Sequence, residues 1–155
     1  MALVVGQEHR PSAQVFGELE VGWIAGLGFT PTPGQPLPLV LLGPQCVFRK
    51  AATSQLDAAG IPWRVAATSP SLAGLWASAV GGLGITVRSQ LAVPETLVWR
   101  RQLFGLPALA PFPVTLLAQP HATGRSVERL RAIIGEEVAA ALPAPARQRK
   151  RGVAS

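Results

Sequence analysis

Two kinds of hydrophobic period alternate between Leu39 and Val87, and the alternation limits the chain to few folds. Leu39–Leu42 is uniformly apolar and short, as in a strand buried on both faces. After the turn Gly43-Pro44-Gln45-Cys46, residues Phe48, Ala52, Leu56 and Ala59 fall at helical spacing on one face. Gly60 is placed to stop that helix in the left-handed conformation. Ile61–Ala66 reads as the next strand. Ser69 or Ser71 can cap the second helix, with Pro70 near its first turn. Leu72, Leu75, Trp76, Ala79 and Val80 give it one apolar stripe, Gly81-Gly82 ends it, and Gly84–Val87 returns as a strand. Strand-helix-strand-helix-strand with short turns predicts an α/β fold with a mainly parallel sheet covered by helices.

The flanks are less regular. Ala2–Val5 and Glu18–Ala25 read as strands on either side of a polar loop, Gln7–Gln14. Gly26–Pro38 is a Pro/Gly-rich connection. Thr96–Arg100 and Pro113–Gln119 read as strands separated by irregular Pro/Leu-rich chain. Ser126–Leu142 reads as a helix with its stripe on Val127, Leu130, Ile134, Val138 and Ala141, stopped by Pro143 and Pro145. Beyond Ala144 disorder is expected.

Two charge-free stretches raise the question of a membrane span. Val21–Phe48 contains Pro31, Pro33, Pro36, Pro38 and Pro44 and cannot run as one helix. Val65–Val87 is long enough, but Thr68-Ser69-Pro70-Ser71 and Gly81-Gly82 interrupt it, so a soluble strand-helix-strand is expected. The apolar start MALVVG has no basic residue before it and no signal-peptide layout after it. The expected location is cytoplasmic, with no membrane partner.

The net charge of +6 belongs mostly to one end. Arg147, Arg149, Lys150 and Arg151 are four of the 14 basic residues, and the remaining ten face eight acidic ones. The basic tail is therefore read first as a solvated appendage, with phosphate binding there as the lesser alternative. A single cysteine excludes an internal disulfide framework and a thiolate-rich zinc site. His9 and His121 stand in predicted loops without a local ligand partner, so no metal is expected. Cys46 precedes a helix, but a cysteine nucleophile also needs a base and an oxyanion site, and neither is visible. GPQCVFRK lacks the second glycine and the Lys-Ser/Thr ending of a phosphate loop. No catalytic residue and no cofactor are assigned.

The positive signal is geometric. The turns Gly43–Phe48 and Thr68–Ser71 fall at the C-terminal ends of adjacent parallel strands, the edge where open α/β sheets bind ligands. Helix starts at that edge suit a carboxylate or other anion, and Thr68, Ser69 and Ser71 add hydroxyls that either cap the helix or meet a ligand.

As an ordered set, the strand LVLL, the turn and helix GPQCVFRKAA, the strand WRVAATS and the segment SLAGLWASAVGGLGITV resemble the effector-binding domain of LysR-type transcriptional regulators. The resemblance is specific over Leu37–Val87 and extends more weakly from Met1 to about Leu142. It implies a type 2 periplasmic-binding-protein-like fold of two α/β lobes joined by crossing strands, with the effector in the cleft between them. Leu19–Ala25 and Val114–Gln119 would be the crossing strands. Residues 1–142 would form a truncated effector-binding domain. The complete lobe would span about 26–112, with remnants of the other at 1–18 and 120–142 and a basic tail at 143–155. Pro44, Gln45, Cys46, Phe48, Thr68, Ser69, Pro70 and Ser71 match the complete lobe's side of the effector site.

The resemblance departs from the family at its start. A full regulator opens with a winged helix-turn-helix, a linker helix and the first half of lobe one, whereas Met1-Ala2-Leu3-Val4-Val5 matches a strand late in that lobe. The sequence reading is a truncated regulator, a remnant gene or a mis-assigned start, with apolar surface uncovered along Ala2–Val5 and the last helix. The expected function is effector sensing, without enzyme activity, with a small, anionic effector as partner. DNA would be reached only through a helix-turn-helix outside these residues, and self-association is left open. Two alternatives stand beside it: a solute-binding protein of the periplasmic type 2 fold, and an α/β enzyme, for which fold alone is poor evidence.

Overall fold

The computed structural model describes residues 2–5, 13–117 and 124–142. His9, His121, the end of the predicted strand at Ala118-Gln119 and the basic tail lie outside them. The described residues divide into two compact units, one within residues 20–111 and the other formed by the described parts of 1–19 and 112–142.

The first of these units holds the predicted α/β pattern. Its elements are β3 (Val21–Gly26), β4 (Leu37–Leu42), α1 (Val47–Ala58), β5 (Trp63–Ser69), α2 (Leu72–Val80), β6 (Thr86–Ser89) and β7 (Leu97–Arg100). β4 and β5 pair in parallel, with Leu37 opposite Trp63 and Leu42 opposite Ser69. Leu39 forms a parallel bridge with Ile85, immediately before β6. The parallel part of the expectation therefore runs in the order β5, β4, β6. β3 then joins antiparallel to both β6 and β7, so the complete sheet is mixed. No period within β3 could have announced this, because strand direction follows from the path of the connecting chain.

Val65–Val87 is strand, helix and strand, as its Ser-Pro and Gly-Gly interruptions require. Among the described residues no helix is long and apolar enough to cross a membrane. Both helices end as their glycines dictate. Gly60 (φ +66°) donates to Asp57 and Ile61 donates to Leu56; Gly82 (φ +72°) donates to Ala79 and Leu83 donates to Ser78. These paired bonds satisfy the last carbonyls of each helix. Pro70 stands before the cap of α2, which Ser71 supplies, rather than inside the first turn.

Trp23, Ile24, Leu39, Leu56, Leu75 and Ile85 are fully buried. Trp23 can be so because its indole Nε1 donates to the Pro107 carbonyl at 2.8 Å, in the irregular segment after β7. The predicted stripes are narrower than read. Phe48, Ala52 and Leu56 of α1 are buried, whereas Ala59 is the exposed C-cap. In α2, Leu75 and Ala79 are buried and Val80 is half exposed.

The other unit is a small antiparallel sheet with β8 (Phe112–Leu117) between β1 (Ala2–Val5) and β2 (Ala13–Leu19). β2 begins inside the predicted Gln7–Gln14 loop. The single strand expected over Glu18–Ala25 is in fact the end of β2 and most of β3, parted at Glu20, because the two halves pair with different sheets. α3 (Arg125–Ala141) packs on β2, with Gly135 against the ring of Phe16. It buries no residue completely, and Leu130 and Ile133 are about half exposed.

Candidate functional site

The candidate site begins with a pairing. Leu41 stands opposite Thr68 and Leu42 opposite Ser69, so the segments that follow β4 and β5 leave the sheet side by side. The predicted turns Gly43–Phe48 and Thr68–Ser71 therefore share one edge. In the order β5, β4, β6, the chain passes from β4 to one neighbour and returns to the other. The order thus reverses beside β4, and ligands of open α/β sheets settle outside the C-terminal ends at such a point.

The two turns are built differently. After β4, the Cys46 N–H donates to the Gly43 carbonyl at 3.0 Å, closing the turn that exposes Pro44 and Gln45. Cys46 is the N-cap of α1, half-buried and extended (φ −68°, ψ 122°), and its side chain makes no capping hydrogen bond. Arg49 Nη1 reaches back to donate to the Leu42 carbonyl at 3.0 Å, covering the end of β4.

β5 starts two residues later than the predicted Ile61–Ala66 and runs on through Thr68 and Ser69, where a turn is expected, because both pair with β4. At this end of the strand the hydroxyls are mostly committed. Ser69 is buried; its hydroxyl donates to the Ser71 carbonyl at 2.8 Å and accepts from the Ser71 N–H at 3.2 Å. With its single proton in use, Ser69 shapes the turn rather than offering a donor to a ligand. Ser71 accepts from the Gly74 N–H at 3.2 Å as the cap of α2. Thr68 and Pro70 are exposed. Gly74 is required here, since a Cβ at that position would lie 2.4 Å from Ser69 Oγ.

Arg88 escaped the sequence reading. It ends the apolar run Gly84–Val87, and its Cζ lies 4.4 Å from the centroid of the buried Phe48 ring, a cation–π contact across to α1. The available signal was a guanidinium at the close of a strand otherwise buried on both faces. Among the described residues no group of three or more His, Cys, Asp or Glu could hold a metal. A separate cavity of about 470 Å³ lies at the other end of this unit, lined by Thr30, Thr32, Pro38, Arg64 and the Gly81–Leu83 turn. None of the site residues predicted from sequence lines it.

Comparison with known proteins gives concordant results. The family model described as LysR substrate binding domain matches residues 1–139. The chain is 36% identical over 141 residues to the HTH-type transcriptional regulator DgdR of Burkholderia cepacia, covering 86% of this chain and 47% of that protein. It thus spans about half the length of that curated relative. Among solved structures it is similar to the bromide ion-bound regulatory domain of HypT from Salmonella typhimurium. The TM-score there is 0.69 at 16% identity, over 90% of this chain and 72% of that one. It is similar also to the regulatory domain of CcmR from Synechocystis PCC6803 in complex with 2-PG. That match has a TM-score of 0.64 at 16% identity and covers 87% of this chain and 72% of that one.

Proposed function

Because the chain belongs to the LysR substrate-binding domain family, we propose that it senses a small-molecule effector on behalf of transcriptional regulation and performs no catalysis of its own. Its fold is the α/β, type 2 periplasmic-binding-protein-like architecture of LysR regulatory domains. The observation that carries the reading is the register Leu42 opposite Ser69, which sets two turns at one sheet edge beside the reversal in strand order. The effector contacts Pro44, Gln45, Cys46, Phe48, Thr68 and Ser71, with Ser69 and Pro70 holding the second turn in shape. An anionic effector suits this edge, since α1 starts there without a side-chain cap and Arg49 and Arg88 lie beside it. The bromide bound to the HypT domain is an anion on a related fold. DNA would be contacted through a helix-turn-helix outside these residues, and the working compartment is the cytoplasm.

Amide chemical shifts followed by NMR during titration with small carboxylates test the site. Shifts should cluster at Gly43–Phe48 and Thr68–Ser71, with affinity in the millimolar range or weaker. Thr68→Val should weaken binding by on the order of 1 kcal/mol through loss of an exposed donor. Clustering elsewhere, or unchanged affinity in the variant, would count against the site while leaving the family standing.

A further inference from the structure

We infer that Arg88 is the specificity-determining residue of this site, the cation that selects carboxylate effectors over neutral molecules of the same shape. The inference rests on the site proposed above. Ile85 is bridged to Leu39, and from there β6 runs in the same direction as β4, so Arg88 arrives at the C-terminal edge where the strand order reverses. The pairing of β4 with the β6 segment is that one bridge, and the contact between Phe48 and Arg88 lies beyond it.

The guanidinium is positioned from both ends. Its backbone carbonyl accepts from Trp99 Nε1 at 3.0 Å, which fixes the residue on the strand. Its Cζ sits over the Phe48 ring, so the side chain is ordered before any ligand arrives. A guanidinium in cation–π contact with a ring still has N–H groups to donate in hydrogen bonds. Among the described residues no side-chain hydrogen bond or ion pair of Arg88 uses them.

The charges around it are unbalanced. Within residues 20–111, Glu20 pairs with Arg101 at 3.2 Å, Asp57 accepts from Trp63 Nε1 at 2.7 Å, and Glu95 stands in the connection before β7. Arg49, another cation, is held at the end of β4. A carboxylate would meet a planar, pre-oriented fork and relieve this excess of positive charge.

The test titrates the isotope-labelled chain with acetate, succinate and benzoate and with their neutral amides. It compares wild type, Arg88→Gln and Arg88→Lys. Wild type should prefer each carboxylate to its amide. Arg88→Gln should lose roughly tenfold in carboxylate affinity with amide affinity unchanged. Arg88→Lys should keep part of the preference. In wild type alone, the Arg88 Nε–Hε resonance should move with carboxylates and not with amides, a reading independent of how the variants fold. Equal carboxylate affinity in Arg88→Gln, or an unmoved Nε–Hε resonance while the two turns shift, would overturn the role of Arg88 and leave the site intact. Wild-type shifts clustering away from both turns would overturn the site, and this inference with it.

Discussion

Ser69, Ser71 and Thr68 carry similar hydroxyls and do three different things. Ser71 caps α2, so Ser71→Ala should destabilise the fold by about 0.5–2 kcal/mol. Ser69 makes two hydrogen bonds inside its own turn, and Ser69→Ala should cost about 1–3 kcal/mol by removing both and leaving the Ser71 N–H unmet, while the Ser71 carbonyl keeps the Leu75 N–H. Thr68 is exposed, and Thr68→Val should stay within about 0.5 kcal/mol of wild type. Urea unfolding followed by circular dichroism ranks the three; a Ser69→Ala as stable as Thr68→Val would contradict the buried hydrogen-bonded turn. The same ranking explains why Thr68→Val is the clean probe of ligand binding. All three hydroxyls are plain in the sequence. Which of them is free depended on a local loop whose geometry no spacing rule specifies.

At the scale of elements, the sheet hangs on a close approach. A Cβ on Gly84 would lie 2.4 Å from the Pro38 carbonyl oxygen, which itself accepts the Ile85 N–H at 2.9 Å. Gly84→Ala should therefore push the β6 segment off β4 and cost about 1–3 kcal/mol or more. Gly28→Ala meets open space and should change stability by no more than about 0.5 kcal/mol. Thermal unfolding of the two variants separates them, and a Gly84→Ala as stable as Gly28→Ala would refute the contact. The expected effect extends to the site, because the β4–β6 bridge is what brings Arg88 to Phe48. From sequence, Gly84 reads as the end of a glycine-rich turn. Its second role, as the place where one backbone passes over another, involves a strand remote along the chain.

For the whole molecule, function turns on where charge lies. The +6 net charge is concentrated in Arg147–Arg151, and the family match covers a substrate-binding domain. The chain should bind duplex DNA weakly and without sequence preference, with salt-sensitive dissociation constants of about 10⁻⁴–10⁻⁶ M. Removing Ala146–Ser155 should abolish that binding; fluorescence anisotropy at several salt concentrations measures it, and tight sequence-selective binding after the deletion would contradict the prediction. What the sequence by itself determined was the set of elements in the central region: the switch from apolar runs to helical stripes, the glycine stops of α1 and α2, and the interruption of Val65–Val87. These are local properties, set by the geometry of each element and the conformational freedom of glycine and proline. Tertiary structure alone decided that β3 and β7 join antiparallel, that Leu42 meets Ser69, and that Arg88 rests on Phe48. Each of those facts joins residues on different elements, and a hydrophobic period within one element carries no information about its partner in another.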